Sequence, residues 1–457
     1  MSVRIPLGAT VVVGLGASGQ AIIRHMADRC DTLVAVDSNP DAPGVAWVKA
    51  HYPRVAAVTG DLSTVDLSAA AEVILSPGVD PRLAVFDPVR HCLIGEIGVF
   101  ARDLPQDRQV VAITGSNAKS TVTTLVGNMA LAAGHRPGVG GNLGVPALTL
   151  LDDGDVDLFV LELSSFQLDM MTPALRTQVS AFLNLSEDHL DRHGDMAHYG
   201  AAKQRIFSKA QYAVVNADDT ATWPDHAPHC DVILFGLEAP GVAEWGIAHD
   251  AGGKPWLSHG TLMVMRLDEL PLQGLHHYMN ALAALAIGTA MGWPIDAMCQ
   301  ALREFKGLEH RAQTVGEYDG VRWINDSKGT NVGAAVAAIE GIGATLEGQL
   351  IWLGGGVGKG ADFSPLAAPL SHCARAAIVY GRDADLIADA LGTDVPVHRV
   401  ATLTEAQTLA STLAQPGDAV LLSPACASQD QFSNYRERGA LFCDTVKALS
   451  AHRRGEG

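Results

Sequence analysis

A chain of 457 residues, 48% apolar and 18% charged with 47 glycines, has room for about three domains and the make-up of a globular α/β protein, which excludes a disordered or collagen-like chain. A formal charge of −18 excludes a basic nucleic-acid surface, so each lysine or arginine set in a glycine-rich loop becomes informative. The seven cysteines (Cys30, Cys92, Cys230, Cys299, Cys373, Cys426 and Cys443) are scattered and odd in number, no basic-then-apolar leader opens the chain, and the longest small-apolar run, Ala281 to Trp293, is too short to span a membrane; a cytoplasmic protein without a membrane partner is expected.

Thr10 to Val13 read as a short buried strand, followed by Gly14-Leu15-Gly16-Ala17-Ser18-Gly19 and a helix through Ile22, Ile23 and Met26. Leu33 to Val36 form a second strand ending in Asp37. Alone, this is the dinucleotide fingerprint, with an acid near the distance expected for a ribose hydroxyl, and it would suit an NAD-dependent oxidoreductase. Its glycines would equally serve a tight turn. Two features point elsewhere: Val73 to Leu75 lead into Ser76-Pro77-Gly78, a turn suited to phosphate or uridine contacts, and a separate phosphate loop follows.

That loop is Thr114-Gly115-Ser116-Asn117-Ala118-Lys119-Ser120-Thr121, between the β-branched strand Val110 to Ile113 and a helix. A helix N-terminus offers unpaired N–H groups and a positive dipole end to an anion. Lys119 would meet the outer phosphates, and the Ser120 or Thr121 hydroxyl a Mg²⁺ ion. The general pattern is incomplete, because Ile113 and Ala118 stand where it has glycine, and an ordinary strand-to-helix turn with a solvated Lys119 is the plain alternative.

Downstream, Gly140 to Gly144 form a loop carrying Asn142. The buried strand Leu158 to Leu161 delivers Glu162 at its C-terminal end, where ligands gather in open α/β sheets. Val179 to Leu185 form a further strand that runs into Asn184-Leu185-Ser186-Glu187-Asp188-His189-Leu190-Asp191-Arg192-His193, dense in groups able to bind metal or phosphate. Lys203 lies on a helix whose apolar neighbours would lower its pKa; it would otherwise be a surface lysine. Gly236 to Leu272 read as an antiparallel appendage, and His276, His277 and Asn280 open an Ala-rich helix that Asn280 would cap. Phe305 to Arg311 look like a hinge into a third unit with strands at Trp323 to Asn325, Leu350 to Leu353, Ala377 to Tyr380, Pro396 to Val400 and Ala419 to Leu422. Gly358-Lys359 is not a second phosphate loop, because Gly360 has no hydroxyl for Mg²⁺; a loop presenting Lys359 to a carboxylate fits better.

Together, the 114–121 loop, Gly141 to Gly144, Glu162 to Gln167, Asp188 to Arg192, Lys203, His310-Arg311, Asn325 to Asn331 and Leu422 to Ser428 resemble the Mur ligases over essentially the whole chain. The resemblance implies three α/β domains: a Rossmann-like unit for a UDP substrate over 1–97, a central P-loop-type ATPase with a parallel sheet over 98–307, and a Rossmann-like amino-acid unit over 308–457. It implies ATP-dependent amide formation, most simply addition of D-glutamate to UDP-N-acetylmuramoyl-L-alanine through an acyl phosphate, by a monomer. A sister ligase adding another amino acid, such as L-glutamate or a folylpolyglutamate-type enzyme, is the rival.

Carried over by position, Gly16, Ala17, Ser18, Asp37, Ser38, Ser76, Pro77, Gly78, Asn142 and His189 would bind the UDP substrate. Gly115, Ser116, Asn117, Ala118, Lys119, Ser120, Thr121, His277, Asn280, Arg311, Asp326 and Lys328 would surround ATP. Thr330, Lys359, Ser428, Gln429 and Tyr435 would grip glutamate. Lys119, Glu162, His189 and Lys203 would be catalytic, with two Mg²⁺ ions held by Ser120, Glu162, His189 and an N6-carboxylated Lys203. Four departures stand out: Ala118 replaces a loop glycine, so no positive φ is expected there; His277 stands where the family commonly has Asn; Gly329 replaces a common Ala; and Gln429 replaces a common Leu.

Overall fold

The computed structural model describes residues 3–225, 230–272 and 274–453. Its three principal sheets follow one another along the chain. In the first, strands Ala56–Thr59, Leu33–Asp37, Thr10–Val13, Glu72–Leu75 and Leu93–Gly95 lie side by side, all parallel. Thr10–Val13 is buried at every position, as expected of a strand covered on both faces. The two neighbours of this strand end in Asp37 and Leu75, so the glycine loop, Asp37 and Ser76 share one sheet edge.

The central sheet has nine strands. Seven are parallel, six of them in the order Asp231–Phe235, Ala210–Asn216, Thr177–Phe182, Gln109–Thr114, Leu158–Glu162, Pro137–Gly141. Trp245–His249 pairs in parallel with the first of these, and Pro255–His259 and Leu262–Arg266 continue from it antiparallel. The expected appendage is therefore an extension of the main sheet. The strand expected to reach Leu185 ends at Phe182, which frees residues from 183 onward to fold back over the phosphate loop.

The Ala-rich helix, Leu275–Ala290, buries Ala281 to Ile287 against Val122, Leu125, Val126 and Met129 of the phosphate-loop helix Lys119–Ala132. Alanines let the two helices approach closely over the sheet. Asn280 lies on the second turn of this helix, whose N-cap is Gly274, so it cannot be the cap.

A single apolar cluster runs from the first sheet into the central one: Val12, Ile22 and Ile97 join Val110, Phe159 and Leu163, with Phe100 and Phe159 meeting edge to face at 5.2 Å. Beside it, the buried His25 ring contacts Asp103 at 2.9 Å and Asp152 at 2.8 Å, tying the first helix to the central unit. The third sheet has the order Gln313–Tyr318, Val321–Asn325, Ala419–Leu422, Leu350–Gly355, Ala374–Tyr380, Val397–Arg399, parallel except for its first strand. That half-exposed antiparallel edge strand was not expected from the sequence. Among the described residues no helix is long and apolar enough to cross a membrane.

Candidate active site

The phosphate loop sits where strand order reverses: Thr177–Phe182 lies on one side of Gln109–Thr114 and Leu158–Glu162 on the other. It is braced by the segment after Phe182. The Asn184 carbonyl accepts from Ser116 N at 2.9 Å, the Asn184 side chain accepts from Asn117 N at 2.8 Å, and the Ser116 hydroxyl donates to the Ser186 carbonyl at 2.9 Å. Against expectation, Ala118 adopts φ +66°, the left-handed region. Alanine adopts this conformation at a cost of about 1–2 kcal/mol.

Glu162, 2% exposed, is the anionic centre of the site. One carboxylate oxygen accepts from Asn142 Nδ2 at 2.6 Å and the other from the Ser120 hydroxyl, which in turn receives Arg311 at 2.6 Å. Arg311 comes from the hinge and Asn142 from the strand beyond Glu162, so three parts of the chain meet on one carboxylate. Lys119 Nζ folds back onto the Gly115 and Ser116 carbonyls at 2.7 and 2.8 Å. Burial lowers its pKa to about 8.

Lys203, 1% exposed, lies under the same loop on the helix Met196–Gln204. It donates to the Gly115 carbonyl at 2.8 Å and sits 4.7 Å over the Tyr199 ring. Burial first, and the Lys119 charge second, hold its pKa well below the usual lysine value. His189 stands 3.6 Å from Asp188 and packs against Phe166 and Tyr199. The side chain of Asp191 in the same stretch lies outside the described residues. Among the described residues no three His, Cys, Asp or Glu side chains cluster as metal ligands on their own.

Two adjoining cavities open around these groups. One, of about 340 Å³, is lined by Ser116 to Ser120, Asn142, Glu162, Asp188, His189, Lys203, Arg311, Lys328, Thr330, Lys359, Ser428, Gln429 and Tyr435. The other, of about 370 Å³, shares Asn117, Ala118, Arg311 and Lys328 and adds Thr121, His277, Asn280 and Asp326. Burial raises Asp326 to about 6, partly offset by a 2.7 Å hydrogen bond from the Ser423 hydroxyl, and lowers Lys328 and Arg311. Lys328 Nζ lies 4.5 Å over the Tyr435 ring. Asn331 crosses from the third unit to Asn117 and Asp188 at 3.1 and 3.2 Å.

The residues expected to hold the UDP group lie apart from both cavities, apart from Asn142 and His189. Asp37 accepts from Leu15 N at 2.7 Å and Asn39 N at 2.9 Å, fastening the loop that carries Gly16, Ala17 and Ser18 to the strand end beside Ser38. A Cβ at Gly19 would stand 1.9 Å from the Gly14 carbonyl, which explains the third glycine. Ser76 N donates to Val13 at 3.0 Å and the Ser76 carbonyl accepts from Val79 N at 2.9 Å, shaping the turn that holds Pro77 and Gly78. Arg192 donates to the Val79 carbonyl at 3.2 Å, linking this edge to the His189 stretch.

Sequence reasoning gave His276 no role, yet it lines the second cavity 4.0 Å from the His277 ring with both buried ring nitrogens unbonded. Burial lowers these histidines to about 4 and about 3, so both present neutral rings. The available signal was their placement in one helical turn with Asn280. Tyr199 was missed too; its hydroxyl lies 3.2 Å from that of Ser116.

Three family models match in order: the Mur ligase MurD-like N-terminal domain over residues 8–94, the Mur ligase middle domain over 113–288 and the Mur ligase glutamate ligase domain over 310–426. Among curated relatives, the UDP-N-acetylmuramoylalanine–D-glutamate ligase of Chromohalobacter salexigens is 54% identical, over 96% of this chain and 97% of its own. The enzyme of the same name from Pseudomonas aeruginosa is 50% identical, over 96% and 98%. Among solved structures, MurF ligase of Thermotoga maritima in complex with ADP aligns with a TM-score of 0.63 at 16% identity, over 92% of this chain and 96% of that one. UDP-N-acetylmuramate-alanine ligase MurC of the same organism aligns at 0.60 and 17%, over 97% and 100%. These structures share the fold. With its three domains in order and near-full-length relatives at about half identity, this chain belongs to the Mur ligase family, in the group of the UDP-N-acetylmuramoylalanine–D-glutamate ligases.

Proposed function

We propose that this chain joins D-glutamate to UDP-N-acetylmuramoyl-L-alanine at the expense of ATP, in the synthesis of peptidoglycan precursors. The observation that carries the reading is its 54% identity to a D-glutamate ligase across 96% of the chain. The site suits such chemistry: Lys119, Arg311, Lys328 and Lys359 line one cavity with Glu162 and Asp188, leaving a surplus of positive charge for a triphosphate and two carboxylates. A carboxylate oxygen of the alanyl group attacks the γ-phosphorus and ADP departs. The neutral amine of glutamate then attacks the acyl carbon, phosphate leaves, and the amine gives up a proton. Both steps bring anions together, so fixed cations provide most of the barrier lowering.

In this reading the unit 1–97 holds the UDP group through Gly16, Ala17, Ser18, Asp37, Ser38, Ser76, Pro77 and Gly78, aided by Asn142 and His189. The unit 98–307 binds the triphosphate on the 115–121 loop, with His277, Asn280, Arg311, Asp326 and Lys328 about the nucleotide. The unit 308–457 grips glutamate through Thr330, Lys359, Ser428, Gln429 and Tyr435. All of these residues come from a single chain, which is consistent with a monomer, and the seven free cysteines favour a reducing cytoplasm.

The oxygens of Ser120 and Glu162 fit a Mg²⁺ ion, a hard cation that would complete its shell with phosphate and water and neutralise charge on the triphosphate. Lys203 as an amine does not suit that ion, but burial favours its uncharged form, which is suited to add to CO₂ with loss of one proton. The resulting carbamate, near His189, would hold a second Mg²⁺. The ligases that add another amino acid remain the second reading, disfavoured by the names of the near-full-length relatives.

Three outcomes are expected. Phosphate release with UDP-N-acetylmuramoyl-L-alanine, ATP and Mg²⁺ should require D-glutamate; turnover with L-glutamate or another amino acid alone would overturn the substrate. Lys119 binds phosphate as the cation, and its pKa near 8 means that this form is lost as pH rises. ATP affinity of the free protein should therefore weaken above about pH 8, by up to about tenfold per pH unit, and Lys119→Arg should remove the pH slope while binding more weakly throughout. A flat wild-type profile up to about pH 9.5 would contradict that role. Finally, Lys203→Ala should lose most activity and regain part of it with added small carboxylic acids, and full activity in the plain variant would remove the second metal from the scheme.

A further inference from the structure

Arg438 lies in the first turns of the C-terminal helix Tyr435–Arg453, in a stretch that reads as Tyr-Arg-Glu-Arg and looks like a solvated face. It is instead 0% exposed. Its guanidinium donates three hydrogen bonds: Nε to the Ser327 hydroxyl at 3.0 Å, one terminal nitrogen to the Ser327 carbonyl at 2.8 Å, and the other to the Cys426 carbonyl at 3.1 Å. None of these acceptors is a carboxylate. Removing an arginine from water without an acid partner is costly, so the bonds it makes must secure something that neutral side chains in its place would not.

Both acceptors are on cavity-lining loops. Ser327 lies between Asp326 and Lys328 and is three residues before Thr330; Cys426 is two before Ser428. The two loops also bond to each other, Ala425 N donating to the Gly329 carbonyl at 2.9 Å. A third loop hangs on the second: Val357 and Ala427 exchange two 2.9 Å backbone bonds, two residues before Lys359. The Ser327 hydroxyl donates to the Tyr435 carbonyl at 2.8 Å, so the backbone of the residue over whose ring Lys328 stands is fastened to the same point. The planar fork of Arg438 therefore fixes the spacing of the loops that carry Thr330, Lys359, Ser428 and Tyr435.

We propose that Arg438 is a positioning residue of the amino-acid pocket, setting the separation of its loops from beneath. The inference rests on the reading of that pocket as the glutamate site. Arg438→Lys keeps the charge but cannot span the three acceptors. It should raise the KM for D-glutamate about tenfold, the loss expected for hydrogen bonds to a charged group, with the KM for UDP-N-acetylmuramoyl-L-alanine unchanged within about twofold. Ser327→Ala, which removes one acceptor, should move the same constant in the same direction by a smaller factor. Val446→Ala, in the apolar core under the same helix, serves as the control for destabilisation alone and should show no such split. Equal changes in both KM values, or a split in the control at matched Tm, would overturn the proposal. Should Arg438→Lys fail to fold, an unchanged glutamate KM in Ser327→Ala would overturn it. Wild-type protein inert toward glutamate would end both this inference and the reading beneath it.

Discussion

Crowding of like charges in one cleft is the constraint on which this molecule turns. Lys203 is buried and Lys119, Arg311 and Lys328 are half-buried, and desolvation is the leading cause of the lowered pKa of each. They also depress one another: Lys119 acts on Lys203, Lys328 and Arg311 act on Lys119, and Arg311 acts on Lys328. Glu162 and Asp188 offset only part of this charge. An arrangement of that kind is unfavourable alone and becomes favourable when anions enter, which is how a binding site can be strong and selective for phosphate and carboxylate without large apolar contact.

The fold exists to assemble that cleft from distant parts of the chain. A parallel sheet puts the C-terminal ends of its strands at one edge, so Glu162, the phosphate loop and the 184–193 stretch arrive together in the central unit. The first unit is joined to it by shared core, Phe100 on Phe159, and by His25 between two aspartates. The third unit is joined mainly through polar contacts at the site, Arg311 on Ser120 and Asn331 on Asn117 and Asp188. Polar contacts exchange readily with substrate oxygens, whereas apolar core does not.

Much of this was legible in the sequence because strand-end loops carry chemistry in short contiguous runs. Strands at 10–13 and 110–113 announced themselves as β-branched runs and those at 158–161 and 419–422 as apolar ones, with the phosphate loop and Glu162 at their ends, whereas Lys203, on a helix, was singled out by the family resemblance. What escaped detection depended on three dimensions. The positive φ of Ala118 belongs to a loop braced by Asn184 and Ser186, contacts invisible in a local window. The strand Gln313–Tyr318 has a polar, half-exposed pattern that gives little periodic signal. Asn280 looked like a cap because the helix start was read too late. Arg438 drew no notice in the sequence, since only the packed helix shows that its side chain reaches Ser327 and the Cys426 carbonyl.

The cation-rich cleft is tested most directly by a crystal structure of the protein with a non-hydrolysable ATP analogue and Mg²⁺. The account predicts that Lys119 Nζ leaves the Gly115 and Ser116 carbonyls for the outer phosphates, with Ser120 and Glu162 on the metal. A triphosphate bound elsewhere, with Lys119 still folded onto its own loop, would contradict it.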